Sequence, residues 1–344
     1  MREDQDLSPA AAAFQRMNES RTTGVHRVEF DVDWPPGHVA CYLLDGPEPI
    51  LVDAGMPADP EDEHDRERTL REGLADADVD PADVAHLLVT HPHVDHIGQV
   101  PTLLEAGDPT VHVPAGVRER FAGDADALAA RVERNAAEAG LEGERLEEAV
   151  GMAVRSLERD RDLLPPSAVD HWVEPGSTVE IGGYAVEPTH TPGHQADHLV
   201  YRTDLDGEAV LLAGDTAMEP FRAVAIHDGL DDGVFESFDA FYAALDRLAT
   251  LDVDRVLPGH GAVHRRFDEV LERDRGSLDR RLDSVERALA DGLRTVPEVA
   301  ARVAGDRPVR YLLPEAYGAA AHLASDGRAT VTVEEGVRHY EPAG

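Results

Sequence analysis

Apolar and polar positions change rhythm several times along this chain of 344 residues, and each change marks an element. Residues 25–33 alternate, the period-two pattern of a half-buried strand. Residues 39–44 and 50–52 are apolar runs separated by Asp45-Gly46-Pro47, a turn signal, and read as two further strands. Residues 60–78 are charged, with Leu70 and Leu74 the recurring apolar positions, which predicts an exposed helix. Residues 83–89 form an apolar strand that runs into Thr90-His91-Pro92-His93-Val94-Asp95-His96. After a tight loop, Val100, Leu103 and Leu104 predict an amphipathic helix, and residues 110–114 another short strand.

Residues 116–163 lack strand patterning. Phe121, Leu128, Val132, Leu146, Val150, Val154 and Leu157 recur at helical spacing, so an insertion of two or three helices is expected, favoured as a lid over a cleft. Strands follow at 170–174 and 178–181 around Pro175-Gly176, then at 184–187 after the hairpin turn Gly182-Gly183. Residues 210–213 and 253–256 read as strands, with a helix over 238–251 between them. Beyond residue 265 the pattern is a long charged helix (265–289), a second helix opened by Thr295-Val296-Pro297-Glu298, a third over 311–323, and a hairpin of 329–333 with 337–340. Thr295 with Glu298 three residues later is a capping-box signature, with Pro in the first turn. Residues 1–24 read as a polar N-terminal extension, frayed or forming a short helix.

Composition adds three constraints. The net charge is −37, and all 32 basic residues are arginine. Such an acid excess without lysine predicts a protein of a salt-loving organism, since in molar salt the Debye length falls to about 3 Å and self-repulsion is screened. It argues against nucleic acid or an anionic membrane as partner. Around the C-terminal helices and hairpin, from Arg294 onward, six arginines stand against seven acids, not a basic footprint. Cys41 is the only cysteine, which excludes an intrachain disulfide and predicts a buried thiol. No run of eighteen apolar residues occurs, and the acidic N-terminus lacks a signal-peptide pattern, so a cytoplasmic location is expected.

The chemistry concentrates at strand ends. Between His91 and His96 stand three histidines and one aspartate. Imidazole nitrogens and carboxylate oxygens are the ligands borderline divalent metals take. Three later sites repeat the grammar of apolar strand, then Gly or Pro, then one ligand type: Thr191-Pro192-Gly193-His194, Gly214-Asp215-Thr216 and Leu257-Pro258-Gly259-His260-Gly261. Glycine at such a rim lets the backbone turn a side chain inward.

With these residues the chain resembles the metallo-β-lactamase-fold superfamily over about residues 25–265. His91 to His96 matches its HxHxDH signature, and His194, Asp215 and His260 match the remaining ligands in order. The resemblance implies an α+β fold, a four-layer αββα sandwich; the pattern adds the helical insertion, and its three last helices with a two-stranded wing read as a winged-helix-like domain over 266–344, a module that some subfamilies carry. It implies one metal on His91, His93 and His194 and another on Asp95, His96 and His260, with Asp215 bridging. Zinc, two per chain, is the usual metal, and iron or manganese occur in some branches. Asp53, in the early Asp-x-Gly turn, is implied as a residue orienting the ligands.

The chemistry so implied is hydrolysis by a hydroxide held between two cations, with Asp95 as ligand and orienting group. His198 is a second catalytic candidate, as donor to substrate or as support for the ligands. Asp215 stands where many antibiotic-degrading members carry cysteine, which disfavours a β-lactam substrate. The interval from Asp215 to His260 leaves no room for the large inserted domain of the nucleic-acid-processing branch. The core is most similar to glyoxalase II-like hydrolases, although their basic cluster for the thiol carrier is not recognisable. The expected activity is hydrolysis of a small thioester or ester. The alternatives are a metal-dependent ribonuclease of the winged-helix subfamily and a mono-iron sulfur dioxygenase; a DNA-binding regulator without enzymatic activity fits poorly with the intact ligand set. A small-molecule substrate is the expected partner, and homo-oligomerisation stays open.

Overall fold

Two sheets lie face to face because each supplies one row of apolar side chains to the space between them. The computed structural model describes residues 24–58, 65–305 and 309–343; the extension expected over residues 1–24, all but its last residue, and the start of the helix expected at residue 60 lie outside them. The first sheet has six strands in chain order: β1 (Val25–Asp31), β2 (His38–Leu44), β3 (Ile50–Val52), β4 (His86–Leu88), β5 (Thr110–Pro114) and β6 (His171–Val173). β1, β2 and β3 pair antiparallel, and β3 to β6 pair parallel. The second sheet runs β11 (Arg255–Pro258), β10 (Glu208–Gly214), β9 (Leu199–Leu205), β8 (Tyr184–His190), β7 (Val179–Ile181). It is antiparallel except that β11 lies parallel to β10.

Alternation decides which side chains meet between the sheets. Ala40, Tyr42 and Leu44 of β2 face Tyr201 of β9 and Val210 and Leu212 of β10 in one buried cluster. The opposite face of the first sheet, through Val39, Cys41 and Leu43, packs under helices. These are α1 (Arg66–Ala75), α2 (Val94–Ile97), α3 (Val100–Ala106), and two of the insertion helices, α4 (Ala115–Ala122) and α6 (Glu144–Leu163); between them α5 (Ala125–Ala139) buries Val132, Ala136 and Ala139 in the cluster that includes the second sheet's outer face. The outer face of the second sheet, through Val200, Leu211 and Val256, is covered by α7 (Ser237–Leu248) and α8 (Phe267–Ala290). The four layers are therefore helix, sheet, sheet, helix, and the insertion expected over 116–163 consists of three helices.

One expectation is corrected. The charged segment around residue 70 is not an exposed helix: Leu70 and Leu74 of α1 are completely buried, one turn apart, against β1. Gly73 lies so close to β1 that a Cβ there would meet Val28 at 2.5 Å. The charge pattern reports the helix's outer side alone. Asp65 caps it, its side chain accepting from the Arg68 amide at 3.0 Å.

Beyond α8 come α9 (Val296–Ala304), α10 (Val309–Ser325) and the hairpin β12 (Ala329–Glu334)–β13 (Val337–Pro342). Glu298 accepts from the Thr295 amide at 2.9 Å, as the capping-box reading requires. Leu278 and Leu282 of α8, Val299 of α9, Ala316 and Tyr317 of α10 and Tyr340 of β13 share one continuous cluster with Leu211 and Val256 of the second sheet. β13 is tied to the insertion helix α5 by Arg338 and Glu138 at 2.7 Å.

Candidate metal centre

Strand direction gathers the site. The loops after β3, β4, β8, β10 and β11 carry Asp53, His91, His194, Asp215 and His260. These loops meet on one rim of the sandwich, and hydrogen bonds stitch the two sheets there. The Ala40 amide donates to the Gly259 carbonyl at 2.7 Å, Tyr42 Oη to Pro258 at 2.8 Å, and Tyr201 Oη to Val89 at 2.7 Å. Buried polar groups without partners are costly, so these bonds fix the loops as well as satisfying them.

Two ligand sets result. His91, His93, His194 and Asp215 place one donor atom each within 4.8 Å of one another, and Asp95, His96 and His260 do the same. Asp215 faces both. Its Oδ2 lies 3.1 Å from His194 Nε2, and its Oδ1 lies 3.1 Å from His96 Nε2 and 3.5 Å from His260 Nε2. Asp95 Oδ2 stands 3.2 Å from His260 Nε2.

The outward nitrogens settle the tautomers. His194 Nδ1 faces the Val224 carbonyl at 2.9 Å and His260 Nδ1 the His38 carbonyl at 2.9 Å. A carbonyl only accepts, so both Nδ1 atoms carry a proton, and Nε2 is the atom each ring turns inward. His96 Nδ1 donates to Asp53 Oδ2 at 2.8 Å. Thr90 Oγ1 donates to the same oxygen at 2.8 Å and accepts from His91 Nδ1 at 3.0 Å. Asp53 Oδ1 takes the Thr90 amide at 2.7 Å. Asp53 thus orients two histidines at once, from a left-handed backbone (φ 59°) that aspartate tolerates better than most residues.

That arrangement is chemically incomplete without a cation. His93 Nδ1 stands 3.0 Å from His91 Nε2 and 3.1 Å from His194 Nε2, so unshared pairs converge. His96 Nε2 and Asp215 Oδ1 are buried without a hydrogen-bond partner although they face each other. The local field favours positive charge. Burial works against the charged form of His260, but Asp215 and Asp95 raise it to about 9. Burial likewise opposes charge on His96, and Asp215, Asp53 and Asp95 raise it well above the ordinary histidine value. Burial, then its histidine neighbours, hold His91 well below that value, and burial with His194 lowers His93 to about 3. Neutral imidazoles in one half and a strongly negative field in the other fit a pair of divalent cations.

His198, offered as donor to substrate or as support for the ligands, stands directly behind Asp215. Its Nδ1 meets Thr191 Oγ1 at 2.7 Å and its Nε2 accepts the Asp215 amide at 3.0 Å. Both nitrogens are engaged with protein in a fully buried ring, so none remains for a substrate. Its contact is with the Asp215 backbone. Gly259 matters by its lack of a side chain: a Cβ would lie 2.6 Å from His96 Cε1 and 2.9 Å from Asp215 Oδ1. The motif reading missed Thr90, although its place directly before His91 signals it. It also missed the Val224 and His38 carbonyls, for which the sequence carries no signal.

Residues 34–260 match the family model of the metallo-beta-lactamase superfamily. A hydroxyacylglutathione hydrolase of Acidiphilium cryptum is 31% identical over 244 residues, 65% of this chain and 76% of that protein. An uncharacterized protein of Mycobacterium bovis is 30% identical over 255 residues, 70% of this chain and 96% of that protein. Among solved structures, a metallo-beta-lactamase family protein of Thermus thermophilus superposes with a TM-score of 0.76 at 23% identity, covering 93% of this chain and 98% of that one. The last likeness concerns the fold, and it extends past β11 into the C-terminal helices.

Proposed function

The chain belongs to the metallo-β-lactamase superfamily, and from that premise we propose that it is a hydrolase of a small-molecule thioester or ester, working with zinc in both halves of its site. The observation that carries this reading is Asp215, whose two carboxylate oxygens each face a separate ligand set. Bound cations there supply Lewis acidity and bring the pKa of water towards neutrality. His91, His93 and His194 with Asp215 Oδ2 would hold one cation; Asp95, His96 and His260 with Asp215 Oδ1 would hold the other.

Asp95 is the orienting group. Its side chain is 14% exposed against 8% for Asp215, so it is the more accessible of the two site carboxylates. Burial raises its pKa, but His96 and His260 hold it below the usual carboxylate range, so it stays anionic. A group that keeps its charge accepts a hydrogen bond and orients water; it does not store the proton. The thioester preference draws on the similarity to hydroxyacylglutathione hydrolase.

The test is a panel of acyl thioesters and aryl esters, offered to zinc-loaded protein in molar salt beside single-stranded RNA and a persulfide with oxygen uptake followed. Thioester or ester turnover lost in His93→Ala, with the far-ultraviolet spectrum unchanged, is the expected result. RNA cleavage or oxygen uptake without thioester or ester turnover overturns the reading.

A further inference from the structure

The insertion and the C-terminal helices have so far no part in the chemistry, yet together they enclose a cavity of about 830 Å³ that has His93 in its wall. The apolar lining comes from three directions: Leu128 and Val132 of α5, Met152 and Leu157 of α6, and Ala301 of α9 with Leu313 of α10. Two of the large apolar side chains exposed on this protein, Met152 at 44% and Val309 at 37%, also line it. Uncovered apolar surface of this kind inside a concavity marks a ligand site more often than surface noise.

Six carboxylates and three arginines line the cavity, and two of the arginines are paired. Arg131 grips Asp231 with two bonds of 2.6 and 2.8 Å, and Arg120 pairs with Asp228 at 3.2 Å. Asp197 adds a further carboxylate to the wall. With two of its three arginines taken and carboxylates in surplus, this wall is a poor host for an anionic peptide such as glutathione. The volume sits near the upper end of the range of about 300–1,000 Å³ typical of small-molecule pockets. A two- or three-carbon acyl group would leave most of it unfilled.

We infer that the cavity between α5, α6, α9 and α10 is an acyl-chain site, and that the substrate is an acyl thioester with a long apolar chain lying in it and its carbonyl beside His93. The thiol carrier then extends outward from the rim. This rests on the hydrolase reading above and names the substrate class for the same site. It also gives the insertion and the C-terminal helices one shared task, since neither forms the cavity alone.

The experiment compares acetyl with decanoyl thioesters of one thiol carrier on zinc-loaded wild-type protein, Ala153→Trp and Met152→Glu. Ala153 lines the cavity, so tryptophan there fills it; Met152 is exposed enough that glutamate tests polarity without a folding penalty. About eight buried methylenes should raise kcat/KM by roughly 100-fold or more. Both variants should lower the decanoyl-to-acetyl ratio at least tenfold. A ratio near one in a protein that does hydrolyse the acetyl thioester overturns the acyl-chain site and leaves the hydrolase reading standing. If neither thioester turns over, the wider thioester and ester panel above decides the hydrolase reading, and calorimetric titration with decanoate decides the cavity. Binding that weakens tenfold or more in Ala153→Trp supports the site, and no binding to wild-type protein overturns it.

Discussion

The carboxylate of Glu315, on α10, accepts the backbone amide of Ala225 at 2.8 Å, inside the loop between β10 and α7. The residue before Ala225 is Val224, whose carbonyl orients His194. A buried acid in the C-terminal helices therefore reaches the candidate ligand His194 through one turn of loop. Arg222 and Arg281 pair with the same carboxylate, and it is 1% exposed.

Glu315→Ala should therefore do two things. Removing one partner of a buried ion network leaves the arginines uncompensated and destabilises by about 3–5 kcal/mol. Zinc content should fall as well, through the loss of His194's orientation. Calorimetry with metal analysis on the same sample checks both. The pH response has a definite sign: burial raises the Glu315 pKa, but Arg222 and Arg281 bring it below the ordinary glutamate value. This contribution is complete above about pH 4.3, the unfolded value, and is lost as pH falls through the lower folded value.

Asp53→Ala removes the acceptor of His96 Nδ1 and of the Thr90 hydroxyl that in turn accepts from His91. Loss of such an orienting carboxylate weakens metal affinity or activity by about 10–100-fold. Zinc competition with a chromophoric chelator measures it. An unchanged affinity would show that the two histidines hold their positions without Asp53.

Zinc binding should release protons. In the metal-free site His260 stays protonated up to about pH 9, and His96 is also raised. Metal must displace those protons, so apparent affinity rises with pH through the neutral range. Calorimetry in buffers of different ionisation enthalpy counts the protons.

Gly259→Ala adds a methyl group at 2.6 Å from His96 Cε1. Either the ring or Asp215 must shift, and a displacement of about 1 Å in a catalytic group lowers kcat by about 100-fold. The far-ultraviolet spectrum should stay that of wild type, and kinetics with metal counting reads the effect.

Salt should stabilise the protein. With a net charge of −37, self-repulsion is strongest in dilute buffer. Raising KCl from about 0.1 to about 2 M shortens the Debye length and should raise Tm by about 4 °C, some 3 kcal/mol for a chain this long. Thermal melts across the series check it; a flat profile would mean that the acids are already compensated locally.

Local pattern determined much of this protein. Ligand identity and order, from His91 through His260, stand in the sequence, because each ligand follows an apolar strand and a turn residue and both signals are local. The strands that carry them were legible for the same reason. Burial was less so: in α1 the charged outer face masked Leu70 and Leu74, whose core contacts lie with β1, far away in the chain. Only the tertiary structure decided what His198 does, since its partners, Thr191 and the Asp215 amide, are set by packing and not by spacing. It alone joined the insertion to the C-terminal helices around one cavity, and it alone brought Glu315 to Ala225, 90 residues away in the chain. Periodicity specifies which face of an element is apolar; which other face it meets depends on how all the layers fill space together.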